Sequence, residues 1–253
     1  MGRFINKKKT IKRALILSLL LAFVACQKGT EGTELVQTSK LIHQASNFPT
    51  KKLKVGFLAI NGVFNSELMA PFDIFQHTVF HTELGMETFI VSPSEEVITT
   101  FEGIRILPDY TFDNVPDIDV LIVPSAEHNM DTDLKDERLI NFVKEKGAKA
   151  QIVMSLCDGA FILAQAGLLD ELKSTTFPSD IDQFKETFPH LDVYKEVSFV
   201  HDGKAITSSG GAKSYDPALY LVEYLYGKKV ADGVAKGLVI DWEVDAVKHI
   251  IGN

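Results

Sequence analysis

Between residues 53 and 247 the chain alternates short apolar runs with amphipathic stretches. Residues 53–60, 86–92 and 119–124 are runs rich in Val, Ile, Leu and Phe, each followed by Asn-Gly or stopped by Pro, and read as buried strands. A loop running into a helix is predicted over 63–75, where apolar positions recur at three and four. Residues 97–100 and 103–107 predict a small hairpin or paired edge strands, and 134–146 an amphipathic helix with Gly147 past its end. Helices are also predicted over 160–166, stopped by Gly167, and over 181–188. Residues 196–201 and 204–208 pair through Asp202-Gly203, a type I′ hairpin signal. Asp216 and Pro217 then open a helix as N-cap and first residue, Gly227 closes it, and 230–247 predicts a last helix. Strands without polar alternation, separated by helices, predict an α/β three-layer sandwich: a mostly parallel sheet with helices on both faces.

One stretch carries chemistry. Residues 151–155 form a buried strand and a helix follows from Ala160, leaving only Leu156 to Gly159 for the turn. A strand that becomes a helix so abruptly lifts its turn residue, here Cys157, above the sheet edge in a strained conformation. Helix N-terminal amides then favour thiolate over thiol, so the expected pKa lies below the ordinary range. Gly159 is expected because a Cβ there would crowd the preceding strand. The alternative is a cysteine serving as a small buried hydrophobe.

Charge and composition narrow the remaining classes. Arg3, Lys7, Lys8, Lys9, Lys12 and Arg13 precede an uninterrupted apolar run from Ala14 to Val24, too short to span a bilayer and suited to a signal peptide. It ends in Phe23-Val24-Ala25-Cys26, which resembles a lipoprotein cleavage motif with Cys26 as the lipidated residue; an ordinary secretory signal is the alternative. Residues 1–25 are thus expected to be removed, 26–51 to be a flexible tether, and 52–253 the domain. Six of the 26 Lys and Arg precede Cys26 and none of the 34 Asp and Glu do, so the chain from Cys26 onward carries a formal −14. A chain this acidic is repelled by nucleic acid and anionic lipid headgroups. Of two cysteines, one is expected to be lipidated, leaving no intramolecular disulfide, and the scattered His show no metal-ligand spacing. No cofactor-binding motif is present.

Ser155-Leu156-Cys157-Asp158-Gly159-Ala160-Phe161 and Gly167-Leu168-Leu169-Asp170 resemble the elbow of the DJ/PfpI branch of the class I glutamine amidotransferase-like superfamily. Gly62-Val63 through Glu67 to Pro71-Phe72-Asp73, and Thr207-Ser208-Ser209-Gly210-Gly211 through Asp216-Pro217, resemble the subgroup of isocyanide hydratases and AraC-type regulator sensor domains. The resemblance spans 52–242 and implies a flavodoxin-like fold and a homodimer. It also implies Cys157 as nucleophile and Glu67 as an acid hydrogen-bonded to its sulfur. A carboxyl beside a thiolate holds its proton, because two adjacent anions are costly. Read without the resemblance, Glu67 is a capping acid in the first turn of its helix. Gly62, Gly159, Gly210 and Gly211 are expected around the substrate pocket.

Two positions depart from that pattern. Members with a Cys-His pair carry His after Thr-Thr, and here Thr175-Thr176 is followed by Phe177, which moves no proton. The Pro-Gly-Gly oxyanion loop is replaced by Pro124-Ser125-Ala126, whose backbone amides, with that of Asp158, are the expected oxyanion donors. His128 is a candidate substitute base or an exposed loop residue. Protease and amidotransferase chemistry is disfavoured without the histidine. Addition of the thiol to a small electrophile, followed by water, asks less of the site; a ligand-binding or redox-sensing domain is the alternative.

Overall fold

In the computed structural model of the chain residues 48–252 are described. The expected signal peptide, Cys26 and nearly all of the tether lie outside them. Strands and helices follow in the order β1 (Lys54–Leu58), α1 (Asn65–His77), β2 (Glu87–Ser92), β3 (Ile98–Thr99), β4 (Arg105–Ile106), β5 (Tyr110–Thr111), β6 (Val120–Val123) and α2 (Glu137–Lys149). The second half continues with β7 (Ile152–Leu156), α3 (Gly159–Gln165), β8 (Lys173–Ser174), α4 (Ile181–Thr187), β9 (Asp192–Val193), β10 (Phe199–Asp202), β11 (Ala205–Ser208), α5 (Tyr215–Tyr226), α6 (Lys228–Gly237) and β12 (His249–Ile251).

Eight strands form one sheet in the order β12-β10-β11-β7-β6-β1-β2-β5. Every neighbouring pair is parallel except the β10–β11 hairpin. The fold is therefore the mostly parallel, flavodoxin-like α/β sandwich. Its inner strands are apolar throughout because both faces are covered: Phe57, Ile122, Met154 and Leu156 pack with α1, α5 and α6 residues, and Val123, Val153 and Ala205 with α2, α3 and α4 residues. β3 and β4 pair antiparallel as the predicted hairpin. Among the described residues no helix is long and apolar enough to cross a membrane.

Several local expectations are corrected. Gly147 lies inside α2, which runs on to Lys149. A Cβ on it would sit 2.4 Å from Leu168 Cδ1, so this glycine serves close packing rather than a helix stop. At the hairpin β10 extends through Asp202, leaving Gly203 and Lys204 as the loop, and only Gly203 has positive φ (57°). That is the type II′ pattern, with glycine at the first central position. A 3₁₀ turn, Gly211–Ser214, precedes α5, so Asp216 and Pro217 are its second and third residues. Proline is still tolerated there because first-turn amides have no helical acceptor. The last predicted helix stops at Gly237, and the chain returns to the sheet edge as β12, parallel to β10.

Candidate active site

β7 ends at Leu156 and α3 begins at Gly159, so Cys157 and Asp158 are the whole turn. Cys157 has φ 54°, in the left-handed region that costs a non-glycine residue about 1–2 kcal/mol. Two glycines make that conformation fit. A Cβ on Gly159 would lie 2.0 Å from the Val123 carbonyl oxygen at the end of β6, which corrects the expected clash with the preceding strand. A Cβ on Gly210 would lie 2.3 Å from Cys157 Cβ. The Cys157 N–H donates to the Ser208 carbonyl (3.0 Å), tying the elbow to the end of β11.

Cys157 is buried, and its Sγ donates to Asp158 Oδ2 at 3.5 Å. The other Asp158 oxygen accepts from Thr176 Oγ1 (2.9 Å), which also lies 3.1 Å from the Cys157 carbonyl oxygen. Asp180, at the N-cap position of α4, is a second carboxyl whose charge acts on Asp158. Glu67 approaches from α1. It lies in the first helical turn, but its Oε1 accepts from the Gly211 N–H (2.8 Å), 144 residues away, and its Oε2 from Ser66 Oγ (2.7 Å). The carboxyl is thus a bridge between α1 and the Gly210-Gly211 loop rather than a cap on its own helix. It makes no hydrogen bond to Sγ, contrary to the geometry implied by the resemblance, although its charge acts on the thiol.

Electrostatics reverse the direction expected for Cys157. Burial, then the negative charges of Asp158 and Glu67, push the thiol well above its ordinary range. The Asp158 backbone N–H and the buried Ser125 hydroxyl act in the other direction and do not offset this. α3 has only seven residues, so its terminal dipole faces a larger opposing charge. Asp158 is itself raised, to about 6, chiefly by burial and by Asp180, against the Thr176 hydrogen bond.

Not every expected residue reaches the sulfur. His128 is exposed, pairs with Asp131 (Nδ1–Oδ1 3.6 Å) and makes no contact with Cys157. Ala126 is buried, but its N–H already donates to Asn129 Oδ1 at 2.8 Å, so it is not a free oxyanion donor. Ser125 lies beside the thiol, and its carbonyl accepts from the Phe64 N–H (3.0 Å), linking the two loops. Gly62 lies in that linkage, its carbonyl accepting from the Glu127 N–H; Gly159 packs on β6; Gly210 and Gly211 alone of the four glycines touch Cys157 or Glu67. Among the described residues no group of His, Cys, Asp and Glu is arranged to hold a metal ion.

Three side chains without a sequence-predicted role meet here: Asp158, Thr176 and Asp180. Asp158 is expected only as a backbone amide, and the stretch from Ser174 to Phe177 draws notice only for the histidine it lacks. The available signal is an acid directly after the elbow cysteine together with a second acid, Asp180, just ahead of a predicted helix.

A mostly parallel sheet that delivers a strained, buried cysteine to a helix start defines the class of cysteine nucleophile-elbow α/β proteins. Residues 53–224 match the DJ-1/PfpI family, and the chain belongs to it. An isonitrile hydratase from Pseudomonas putida is 28% identical over 179 residues, 71% of this chain and 75% of that protein. A deglycase from Pyrococcus horikoshii is 30% identical over 166 residues, 64% of this chain and 93% of its own. The crystal structure of a ThiJ/PfpI family protein from Pseudomonas syringae superposes with a TM-score of 0.67 at 24% identity, covering 85% of each chain, a likeness of fold.

Proposed function

We propose that this protein is a cysteine-dependent enzyme that adds water to a small electrophilic metabolite, as a hydratase, hydrolase or glyoxalase-type catalyst, using Cys157 as nucleophile. The observation that carries this reading is the strained elbow itself. A left-handed cysteine (φ 54°), packed against Gly210 with the Asp158 and Glu67 charges acting on its thiol, is costly packing for a merely structural residue. Glu67 braces the loop over the sulfur through Gly211, and the Asp158 N–H is the nearest backbone donor for developing negative charge. Phe177 at the position of the family histidine keeps peptide hydrolysis outside the proposal. Similarity to an isonitrile hydratase and a deglycase supports isocyanides and 2-oxoaldehydes as first substrates.

The test is a turnover screen on those two classes with the parent protein and Cys157→Ala. Consumption by the parent and none by the variant is expected. No consumption, with a metabolite raising the melting temperature, would instead establish the second reading, a ligand-binding or redox-sensing domain. The thiol held above its ordinary range is the observation favouring that alternative.

In the same reading the protein sits in a bacterial envelope, anchored through lipidated Cys26, which the basic and apolar segments ahead of that cysteine support. Cys26→Ala should abolish detergent-phase partitioning and fatty-acid labelling; unchanged partitioning would remove the anchor. A homodimer completes the proposal. Phe80, 74% exposed beyond α1, and Val239, 93% exposed beyond α6, are apolar surface that a second copy would cover. Sedimentation as a monomer at micromolar concentration would remove it.

A further inference from the structure

We propose that Asp158 is the base that takes the Cys157 proton as the sulfur bonds to carbon, with Asp180 acting on Asp158 through its charge. The inference rests on Cys157 as the nucleophile and supplies the base that Phe177 leaves missing. Its ground is geometric. Sγ donates to Asp158 Oδ2 at 3.5 Å, the other Asp158 oxygen is fixed by Thr176 Oγ1 at 2.9 Å, and Asp158 is buried. The Thr176 hydroxyl lies 3.1 Å from the Cys157 carbonyl oxygen, so the acid and the nucleophile are braced by one side chain. His128 is not a competitor, since it is exposed and turned to Asp131.

The charged neighbours explain why an internal acceptor is needed. Glu67 faces the sulfur from α1, Asp158 from the elbow, and Asp180 faces Asp158 from the start of α4. All three are carboxyls, so a free thiolate would be an anion among anions. Passing the proton to Asp158 removes one of those charges as the sulfur's electron pair is committed to the new bond. Burial and the Asp180 charge raise Asp158 to about 6, so it takes and returns protons close to neutral pH.

With an isocyanide the balance is complete. The S–H proton passes to Asp158 Oδ2 while the sulfur bonds to the isocyanide carbon, whose lone pair then takes that proton, leaving a thioimidate. Water adds across the C=N bond, its oxygen to carbon and one proton to nitrogen. Its second proton goes to Asp158 as the C–S bond breaks, with the bonding pair returning to sulfur, and Asp158 reprotonates the thiol. One isocyanide and one water give one formamide, and the site ends as it began.

The test needs no substrate. Iodoacetamide alkylation of Cys157 in the full-length protein, followed on its own proteolytic peptide, is measured from pH 5 to 9. If Asp158 is the base, the rate rises about tenfold per pH unit up to the Asp158 pKa of about 6 and then flattens, although the thiol remains protonated. Asp158→Asn should lose the bend and follow thiolate alone, rising about tenfold per unit up to pH 9. Asp180→Asn should keep the bend but move it to lower pH, which a purely structural role would not do. An unbroken tenfold-per-unit rise in the parent, or the same bend in Asp158→Asn, overturns the proposal; an unmoved bend in Asp180→Asn overturns the part assigned to Asp180. If circular dichroism shows Asp158→Asn unfolded, the parent profile and Asp180→Asn still decide. A bend without turnover of any isocyanide or 2-oxoaldehyde ends the hydratase reading and leaves the proton transfer standing; turnover without a bend does the reverse.

Discussion

Asp158 and His201 are both buried against the same sheet, one at the elbow after β7 and one in β10, and burial acts on them in opposite directions. His201 donates or accepts through Nδ1 with Tyr220 Oη at 2.7 Å, while its Nε2 is buried without a partner. Burial lowers its pKa from 6.5 to about 4, so at neutral pH it is an uncharged member of an aromatic cluster with Tyr220 and Tyr224. Asp158 is raised to about 6, again chiefly by burial, and at neutral pH it is still charged. One region has been allowed to relax to neutrality and the other retains an anion beside a nucleophile.

These directions fix how each group links stability to pH. Between pH 3.8 and about 6 the folded state holds the Asp158 proton more tightly than the unfolded chain, so this group's contribution falls as pH rises. Between about 4 and 6.5 the unfolded chain holds the His201 proton more tightly, so that contribution rises with pH. Each amounts to about 3 kcal/mol across its window, at roughly 1.36 kcal/mol per pKa unit, and over the shared range they oppose each other.

The largest expected effect separates the two regions by backbone alone. Gly159→Ala places a Cβ against the Val123 carbonyl, and neither neighbour is a flexible side chain; a loss of about 3 kcal/mol or more is expected in urea unfolding. A loss of no more than about 0.5 kcal/mol, on the scale of neutral surface changes, would show that the elbow is not tightly held. Asp158→Asn comes next. It should stabilise the protein by up to about 3 kcal/mol at pH 7.5, with the gain vanishing near pH 4, because the amide carries no charge and can still accept from Thr176. No gain at pH 7.5 would mean that burying the carboxylate costs nothing there.

In the Asp158→Asn background the His201 contribution is no longer masked. Stability should then fall by about 3 kcal/mol as pH drops from 6.5 to 4, and adding His201→Phe should flatten that fall. The double variant also orphans the Tyr220 hydroxyl, at about 1–3 kcal/mol at all pH values, so the slope and not the absolute stability is the readout. An acid slope that survives His201→Phe would assign it elsewhere. The smallest effect belongs to His128→Ala. Both Cys157 alkylation and stability should stay unchanged, the latter within about 0.5 kcal/mol, since the side chain is exposed and pairs with Asp131. A slower alkylation would return His128 to the site.

What the sequence determined by itself was the architecture and the identity of the elbow. Continuous apolar runs such as residues 120–123 are written by burial on both faces, and a turn as short as that between Leu156 and Gly159 leaves little choice of geometry. Both are local consequences of residue type and spacing. Boundaries set by distant partners were not legible: Gly147 packs on Leu168 instead of ending α2, and the last helix, predicted to 247, stops at Gly237 before residues 249–251 pair with β10. The chemistry of the site was also decided in three dimensions. Glu67 meets Gly211 across 144 residues, Thr176 reaches Asp158 and the Cys157 carbonyl from just after β8, and the Asp180 charge acts on Asp158 from the start of α4. A pKa depends on burial and on the summed charges around a group, and neither is a property of the neighbouring letters. That is why the local cue of a helix start predicted a lowered thiol pKa, while burial and then the assembled carboxyls raise it.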